Sequence, residues 1–533
     1  MNLNQRLHGN PRILKSTAIV VGAAMLGRLA GFFREWTIAH KVGSNAVTDA
    51  YFAAFTLPDF VSYLVAGGAL GIIFIPVFTK YLADGREDEG WHVFSTVITF
   101  MAILLTAFIV LGEFLAPRLI LLIAPGFDLI GRARVIELTR ILLPAQFFLC
   151  IGGVMAAAQN AKTRFVVPAA APIVYNAVLI SCGWLFVSRY GIKSFAVGLV
   201  AGVFFGFFLL QLIAIWRMGA KFTPNLDLRH PGFRLFFRLA LPVMLALSVE
   251  VTDMWVIRWF GSYLAPPAIT WLTYAKYLTL IPVAVIGQAV GNASYPFLAR
   301  LHAEGRNDEL DRTLGAGLKS LILVMVPITA LAIVLRTPIV NFVFTHTRLS
   351  LHDIESIGAA LAFFSVGMFA RSAYHLVSRG FNAAHDTLTP AWIGTLLTFL
   401  TLPLYWFCAR RWQYLGLAAC SSIVAIILVS VLFASLAYRT RSREWASTTI
   451  CLLRTSIASA LGAGLCNSLA RSLELRIAWQ SSVLSTLLIL VSVTAVGFPL
   501  ILLIARLLGV REIDRYWRRV WSPTPEKPLL ARS

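Results

Sequence analysis

Apolar runs of about 20 residues recur along almost the whole chain, and short polar segments separate them. A helix of that length crosses the hydrocarbon core of a bilayer, so the pattern predicts an all-α polytopic membrane protein. About fourteen transmembrane helices fit the sequence. The predicted spans are 14–39, 50–79, 93–113, 137–158, 166–188, 194–216, 236–260, 268–298, 317–344, 355–379, 389–408, 414–437, 448–468 and 480–505.

Composition and charge agree with a membrane protein. The 533 residues are 58% hydrophobic and 13% charged, whereas about a quarter of the residues are charged in a typical soluble protein. The net charge of +21 would suggest a nucleic-acid partner in a soluble protein. Here most of the excess lies in loops and in the C-terminal tail. We therefore expect no nucleic-acid partner, contact with anionic lipid, and a positive-inside topology with both termini cytoplasmic.

Two pairs of segments indicate an internal repeat. PVFTKYLADGREDE aligns without gaps with PFLARLHAEGRNDE at an offset of 220 (from 76 to 296). NAKTRFVVPA aligns with NAAHDTLTPA at an offset of 222 (from 160 to 382). The predicted unit contains six helices, so its two copies share one orientation and are related by a pseudo-twofold axis, as in many transporters. The predicted divisions are an N-terminal lobe (1–220, helices 1–6), a C-terminal lobe (221–440, helices 7–12), two extra helices (441–510) and a basic cytoplasmic tail (511–533).

The first predicted span contains charges that are expensive inside a bilayer. Arg28 lies in mid-span, and Gly31 and Glu35 share its helical face, whereas Arg34 is turned about 100° from Glu35. One interpretation is that Arg28 lines a hydrated cavity and contacts a phosphate. The alternatives are a structural Arg–Glu pair and snorkelling of the arginines to the interface.

The second half offers a possible cation or proton site. Glu250 and Asp253 are three residues apart and share a helical face. Two acids so placed suit a cation, a proton, or a salt bridge to Lys276 or Arg371. Oxygen-bearing side chains that would bind a hard cation if they converged are Asp253, Asn382, Asp386 and Thr398.

Motifs of enzymes are missing from the sequence. It contains no P-loop, no HExxH and no GxSxG, and its nine histidines lack metal-ligand spacing. We expect a transporter without an ATP site, a cofactor or a certain metal site. Such a transporter would use a substrate gradient, a coupling cation (Na⁺ or H⁺) or the membrane potential.

Several motifs resemble those of a known family, the MurJ (MviN) lipid II flippases of the MOP exporter superfamily. They are GRLAGFFRE…VGSNAVTDAYFAAFTLPDF…GGAL…FIPVF, then APGF (124–127), and RGFNAAHDTLTP (379–390). The resemblance implies translocation of the undecaprenyl-pyrophosphate-linked peptidoglycan precursor lipid II across a bacterial inner membrane. It also implies a cationic central cavity between two six-helix lobes, and a lipid groove formed by the two extra helices. By position, Arg28 and Arg34 match essential basic residues of the family, and Asp49 matches the acid of its TDA motif.

The chain departs from the family pattern at other cavity positions. After the LP motif the family has one or two arginines and then an acid, where this chain has Ser62, Tyr63 and Gly67. The YADR motif of the eighth helix is Tyr-Ala-Lys-Tyr here (274–277), so Lys276 lies one place before the missing arginine. Either Lys276, Arg258 or Arg371 compensates, or the substrate differs. The substrate-binding residues that we predict are Arg28, Arg34, Lys276, Arg371 and Asp49.

Other functions also fit parts of the sequence. One is a flippase for another lipid-linked oligosaccharide, of the exopolysaccharide or O-antigen type. A multidrug or cation antiporter would need acids to outweigh bases in its cavity. A membrane glycosyltransferase would need a long extracytoplasmic loop with carboxylates, whereas the loops near 114–136 and 336–354 are short and not acidic. A scaffold for cell-wall assembly is a further alternative, and cell-wall synthesis proteins are candidate partners beside the lipid-linked glycan and membrane lipids.

Overall fold

The computed structural model describes residues 11–66, 70–245, 249–384, 386, 388–440, 444–476 and 482–514. All regular structure in these ranges is helical. The helices are α1 Pro11–Lys41, α2 Ala46–Ala54, α3 Thr56–Ala66, α4 Leu70–Ala83, α5 Glu87–Ile123, α6 Leu129–Leu142, α7 Ala145–Ala161, α8 Val166–Tyr190, α9 Lys193–Gly202, α10 Leu210–Arg217, α11 Pro231–Leu245, α12 Val249–Gly261, α13 Ala268–Pro282, α14 Gln288–Ala303, α15 Asn307–Val334, α16 Arg336–Phe344, α17 Leu351–Val366, α18 Met368–Ala383, α19 Leu388–Thr440, α20 Glu444–Arg476 and α21 Val483–Leu507. Short π-helical segments join α9 to α10 (Val203–Leu209) and α13 to α14 (Val283–Gly287).

These helices confirm the all-α, polytopic membrane fold. Within the described ranges, nine helical segments are long and apolar enough to cross a bilayer, and a tenth results if α17 and α18, bent by 41°, form one span. One segment, Leu388–Tyr438, has 51 residues. At 1.5 Å per residue it is about 75 Å long, more than twice the hydrocarbon thickness. It breaks at Gln413, so it contains two of the predicted spans. The count of fourteen stays a prediction.

The helix boundaries repeat along the chain at the offsets that the sequence suggests. Helix α1 ends at 41 and α12 ends at 261, so this boundary recurs at the offset of 220. The starts of α5 and α15, at 87 and 307, have the same offset. The starts of α8 and α19, at 166 and 388, have the offset of 222. The pseudo-twofold relation and the predicted lobe boundaries stay predictions.

The first pair of repeat segments also forms the same turn twice. Gly85 and Gly305 have φ of 72° and 70°, a left-handed conformation that glycine adopts without steric cost. The next residue in each copy is an arginine whose guanidinium binds the glutamate three positions later. In the second copy, a hydrogen bond from Arg300 and a second one from Arg306 lower the pKa of Glu304, so this carboxylate stays charged.

The break within α19 has a counterpart in the first repeat. Gly191 ends α8 with φ 56° and ψ −140°, and Gln413, which corresponds to it at the offset of 222, has φ 52° and ψ −134°. Glycine tolerates this backbone conformation, whereas glutamine has a Cβ atom and is strained there. The apolar pattern separates two spans here, but Gln413 is not a helix-breaking residue, so the sequence does not mark where the helix breaks.

Contacts divide the chain into two units. The first contains Met1–Trp271 and His346–Ser350, and its core includes Phe74, Phe78, Trp91 and Phe94. The second contains Leu272–Thr345 and Leu351–Ser533. In the second unit α20 and α21 pack on α15 through two apolar clusters, and Lys319 of α15 donates to Glu444 of α20 over 2.8 Å. The predicted extra helices are therefore packed parts of this unit.

Candidate functional site

Helix α8 fixes the position of α1 inside the first unit. Near mid-span, Gly27 of α1 approaches Pro172 so closely that an added Cβ would lie 3.1 Å from the Pro172 Cβ. At the far end of α1, the His40 ring stacks between Trp36 and Trp184, with centroid distances of 4.9 and 5.6 Å. The orientation of the charged side chains on α1 is therefore set by close packing along the helix.

Arg28 lies on the side of α1 that α8 leaves exposed. Its side chain is exposed, and so are its apolar neighbours Met25, Leu26 and Leu29. A Cβ added at Gly31 would meet no atom within 4 Å, so the surface beside Arg28 is open. The Arg28 side chain is therefore accessible from this side of α1.

Arg34 is held by protein groups. Its guanidinium donates to the Glu35 carboxylate, with Nε–Oε1 at 2.8 Å, and to the Tyr175 hydroxyl of α8 over 3.2 Å. Glu35 is 6% exposed, and its second carboxylate oxygen is buried without a hydrogen-bond partner in the described chain. Arg28 and Arg34 are six residues apart, which separates their directions by about 120°. Arg28 is thus exposed, whereas Arg34 is half-buried and forms an ion pair with Glu35.

Asp49 caps the first turn of α13, the part of this helix that belongs to the first unit. Its Oδ1 accepts from the backbone N–H of Thr270 over 2.7 Å and from the Thr270 hydroxyl over 2.6 Å. These donors lie in the first turn of α13, where backbone N–H groups lack intrahelical partners. Asp49 is only 2% exposed. Its geometry suits a structural cap, and the role in substrate binding stays a prediction.

An ion pair that sequence reasoning missed joins α3 to α12. Arg258 NH1 lies 2.8 Å from Asp59 Oδ2, and the Arg258 side chain is 9% exposed. The Arg258 Nε is buried without a hydrogen-bond partner in the described residues. The two partners are 199 positions apart, so no local pattern reveals them. The sequence marks each partner separately, Asp59 as the acid that follows the LP motif and Arg258 as a candidate compensating cation, but it does not pair them.

Arg371 and Lys276 both lie in the second unit. Arg371 donates to the Phe364 carbonyl at the end of α17 over 3.2 Å and to the Ser421 hydroxyl of α19 over 2.7 Å. It therefore spans the bend between α17 and α18 and satisfies a carbonyl at a helix end. Lys276 is 5% exposed. Arg371 is half-buried and Lys276 is buried, whereas Arg28 is exposed. Their contacts with a substrate stay predictions.

Two of the four residues of the predicted cation site, Asp386 and Thr398, form hydrogen bonds within four residues of themselves. Asp386 caps α19 by accepting from the Thr389 N–H over 3.0 Å and the Thr389 hydroxyl over 2.6 Å. Thr398 donates to the Gly394 carbonyl one turn earlier in the same helix. Thr398 is ten residues into α19, about 15 Å from the capped end. Asn382 is half-buried near the end of α18, and Asp253 is buried in the first unit.

Within the described residues, no group of three or more His, Cys, Asp and Glu side chains is placed to hold a metal. The side chain of Glu250 lies outside the described residues.

Comparison with known proteins identifies the family. The family model described as "Lipid II flippase MurJ" matches residues 38–503 of the chain. The chain belongs to the MurJ family of lipid II flippases. A probable lipid II flippase MurJ of Vibrio cholerae is 25% identical over 516 residues, which cover 94% of this chain and 97% of that protein. A probable MurJ of Rhizobium meliloti is 27% identical over 449 residues, 80% of this chain and 81% of that protein.

Solved structures show the same fold. The inward closed conformation of a lipid II flippase MurJ matches with a TM-score of 0.72 and 21% identity, covering 94% of this chain and 99% of that one. An inward-facing multidrug resistance MATE transporter of the MOP superfamily matches with a TM-score of 0.61 and 15% identity, covering 80% of this chain and 98% of that one. The predicted family and superfamily fold are both confirmed.

At positions where the MurJ pattern has arginines, this chain has neutral residues. The Ser62 hydroxyl donates to Gln146 of α7, and the Tyr63 ring packs edge-on against Trp255 of α12, 5.8 Å between centroids. Tyr277, at the place of the eighth-helix arginine, is 40% exposed. Gly67 lies outside the described residues. Ser62 and Tyr63 thus contact the uncharged side chains of Gln146 and Trp255 at positions where the family pattern has arginines.

Proposed function

We propose that this chain flips lipid II, the undecaprenyl-pyrophosphate-linked peptidoglycan precursor, across the inner membrane of a bacterium by alternating access. Membership of the MurJ family and the MOP-type fold support this function. Both termini are proposed to be cytoplasmic, in line with the positive-inside distribution of lysine and arginine.

The observation that carries the proposal is the position of Arg28. It is a positive charge on the exposed side of α1, a predicted membrane span, and exposed apolar side chains surround it. A charge in a predicted membrane span is costly unless it is paired, reaches water or binds a polar ligand. The pyrophosphate of lipid II is a suitable ligand, since guanidinium binds phosphate oxygens in a bidentate manner.

The proposed cycle requires no ATP site. Binding of the anionic head group neutralises the basic residues of the cavity, which favours closure on one side and opening on the other. The polyprenyl tail stays in lipid, along α20 and α21. The energy is proposed to come from a coupling cation or from the membrane potential, which acts on a moved charge with about 2.3 kcal/mol per 100 mV.

Complementation of a strain depleted of its own lipid II flippase tests the function. We expect the chain to restore growth and cell shape when lipid II flipping is otherwise absent. The Arg28→Gln variant, produced at an equal level in the membrane, is expected not to restore growth. Failure of a well-inserted native chain would contradict the lipid II assignment.

A second candidate is a flippase for another polyprenyl-pyrophosphate-linked oligosaccharide. The neutral contacts of Ser62 and Tyr63, where the family pattern has arginines, favour it specifically. Competition in reconstituted vesicles separates the two functions, with labelled lipid II as the transported molecule. Lipid II flipping that is absent or weaker than flipping of an O-antigen-type lipid would favour the second candidate. Cell-wall synthesis proteins are proposed as partners only if the chain flips lipid II.

A further inference from the structure

Helix α11 has an exposed face on which two arginines are surrounded by apolar side chains. Arg234 and Arg238 are both exposed and lie one turn apart, about 40° from each other around the helix. Exposed apolar side chains lie on both sides of them, namely Phe237, Leu235 and Leu239, which are 39%, 40% and 44% exposed. A surface of this composition suits contact with lipid better than contact with bulk water.

The opposite face of α11 accounts for its packing without the arginines. Phe233, Phe236 and Ala240 are buried, and the Phe236 ring contacts Phe74 of α4 at 6.3 Å between centroids. The first-repeat residues that correspond to Arg234 and Arg238 at the offset of 220 are Leu14 and Ala18. The corresponding segment of the first repeat therefore has no cations at these positions.

Neither arginine is neutralised by the described chain. Two acids of the first unit have other basic neighbours, because Asp88 binds Lys221 and Asp227 lies 3.4 Å from His92 Nε2. Arg234 and Arg238 make no ion pair and no side-chain hydrogen bond within the described residues. Two like charges one turn apart repel each other, so this arrangement destabilises the helix unless an anion binds both.

The predicted span places both arginines near the depth of lipid phosphates. The span predicted from the sequence begins at residue 236, so one arginine precedes its start and the other follows it. Both lie within about 10 Å of the first residue of α11, and the interfacial region of a leaflet is roughly 5–8 Å thick. Arginine side chains reach the interface from such positions while their methylene groups stay in apolar surroundings.

We propose that Arg234 and Arg238 form a binding site for the phosphate of an anionic glycerophospholipid, with its acyl chains along Leu235, Phe237 and Leu239. The site is separate from the substrate path of the proposed function. It holds a resident lipid of the phosphatidylglycerol type against the first unit of the protein.

The test measures lipid retention by the full chain. Purified protein in neutral detergent is titrated with phosphatidylglycerol or phosphatidylcholine, and native mass spectrometry counts the lipids that remain bound. The native chain is expected to retain phosphatidylglycerol in preference to phosphatidylcholine. At about one kilocalorie per mole for each basic residue at an anionic surface, Arg234→Gln/Arg238→Gln should bind phosphatidylglycerol roughly 30-fold more weakly, and each single variant roughly fivefold.

The matched control is Lys80→Gln/Arg164→Gln. It removes the same charge from two exposed side chains that make no ion pair within the described chain. It should retain phosphatidylglycerol like the native protein, and Arg234→Lys/Arg238→Lys should retain an intermediate amount. An equal loss in the control and the double Gln variant would overturn the site in favour of diffuse charge attraction. Equal retention by the native chain and the double Gln variant would overturn it outright.

Transport assays separate the site from the substrate path. In vesicles of phosphatidylcholine alone, the double Gln variant should flip the lipid-linked precursor as fast as the native chain. Loss of flipping there would assign the two arginines to the substrate and overturn the proposal. Failure of lipid II flipping by the native chain would refute the proposed function and leave the phosphatidylglycerol measurement unaffected.

Discussion

At the residue scale, the two arginines of α1 have different surroundings although they come from one short motif. Arg28 is exposed among apolar side chains, whereas Arg34 is bound by Glu35 and Tyr175. An exposed guanidinium can contact a ligand directly, whereas the Arg34 guanidinium is enclosed by a carboxylate and a hydroxyl. We therefore expect Arg28 to bind the head group directly and Arg34 to shape the helix surface around it.

The first prediction follows for Arg28. Replacement by Gln removes charge-assisted hydrogen bonds worth about 1.5–3 kcal/mol, so flipping of the lipid-linked substrate should fall roughly 10- to 100-fold. Arg28→Lys should keep part of the activity, because it keeps the charge and loses the bidentate fork. Reconstituted vesicles measure the rate. Arg134→Gln, another exposed arginine, is the control and should behave like the native chain. Equal rates in Arg28→Gln and the native chain would remove Arg28 from the site.

The second prediction concerns the groups that hold Arg34. Glu35→Gln removes the carboxylate charge that contacts Arg34 and leaves a buried neutral amide, so the protein should lose about 1–3 kcal/mol of stability. Tyr175→Phe removes one neutral hydroxyl and should cost less, about 1 kcal/mol. Thermal unfolding in detergent checks the order of the two variants. The reverse order would show that Arg34 depends mainly on Tyr175.

Residue pairs were the hardest part of the site to predict. The sequence predicts one membrane span that contains Arg28 and Arg34, and helical geometry separates the directions of their side chains. The sequence did not reveal that Tyr175, 141 positions away, accepts a hydrogen bond from Arg34. Nor did it reveal that Arg371 donates a hydrogen bond to a carbonyl at the end of α17. Periodicity describes one helix at a time, whereas these contacts depend on how separate helices pack.

At the element scale, the repeat was the most informative sequence signal. Two short matches predicted helix boundaries that recur at offsets of 220 and 222. The same signal failed at Gln413, because Gly191 and Gln413 share a backbone conformation without sharing a residue type. A repeat in sequence thus predicts a repeat in structure, but a strained residue in one copy is visible only in the backbone.

The third prediction tests that strain. Gln413→Gly places glycine where its first-repeat counterpart already has it, and relief of about 1–3 kcal/mol of strain should outweigh the roughly 0.5–1 kcal/mol entropic cost of glycine. The melting temperature should therefore rise. The converse change, Gly191→Gln, should lower it by the introduction of the same strain. Thermal unfolding of the purified chain measures both, and a lower melting temperature for Gln413→Gly would show that Gln413 has compensating contacts.

At the scale of the whole molecule, the sequence repeat and the contact units divide the chain differently. The repeat places α11 and α12 at the start of the second copy, whereas contacts place them in the first unit. Inside that unit, Trp259 of α12 donates to the Leu122 carbonyl at 2.9 Å, and Arg258 pairs with Asp59 of α3. Helices from both copies of the repeat therefore share one packed unit, which no offset between matching segments predicts.

The last prediction measures how strongly the Asp59–Arg258 pair joins the two copies. Asp59→Asn leaves a nearly buried guanidinium without its carboxylate, so we expect a loss of about 1–3 kcal/mol, moderated because Asp59 itself is 42% exposed. Adding Arg258→Met removes the uncompensated charge and should recover most of that loss, since a buried ion pair and an apolar replacement are often similar in stability. Thermal unfolding of the single and double variants gives the coupling. If Asp59→Asn and the double variant are equally destabilised, burial of Arg258 does not depend on Asp59, and the attachment of α12 rests on its apolar and Trp259 contacts.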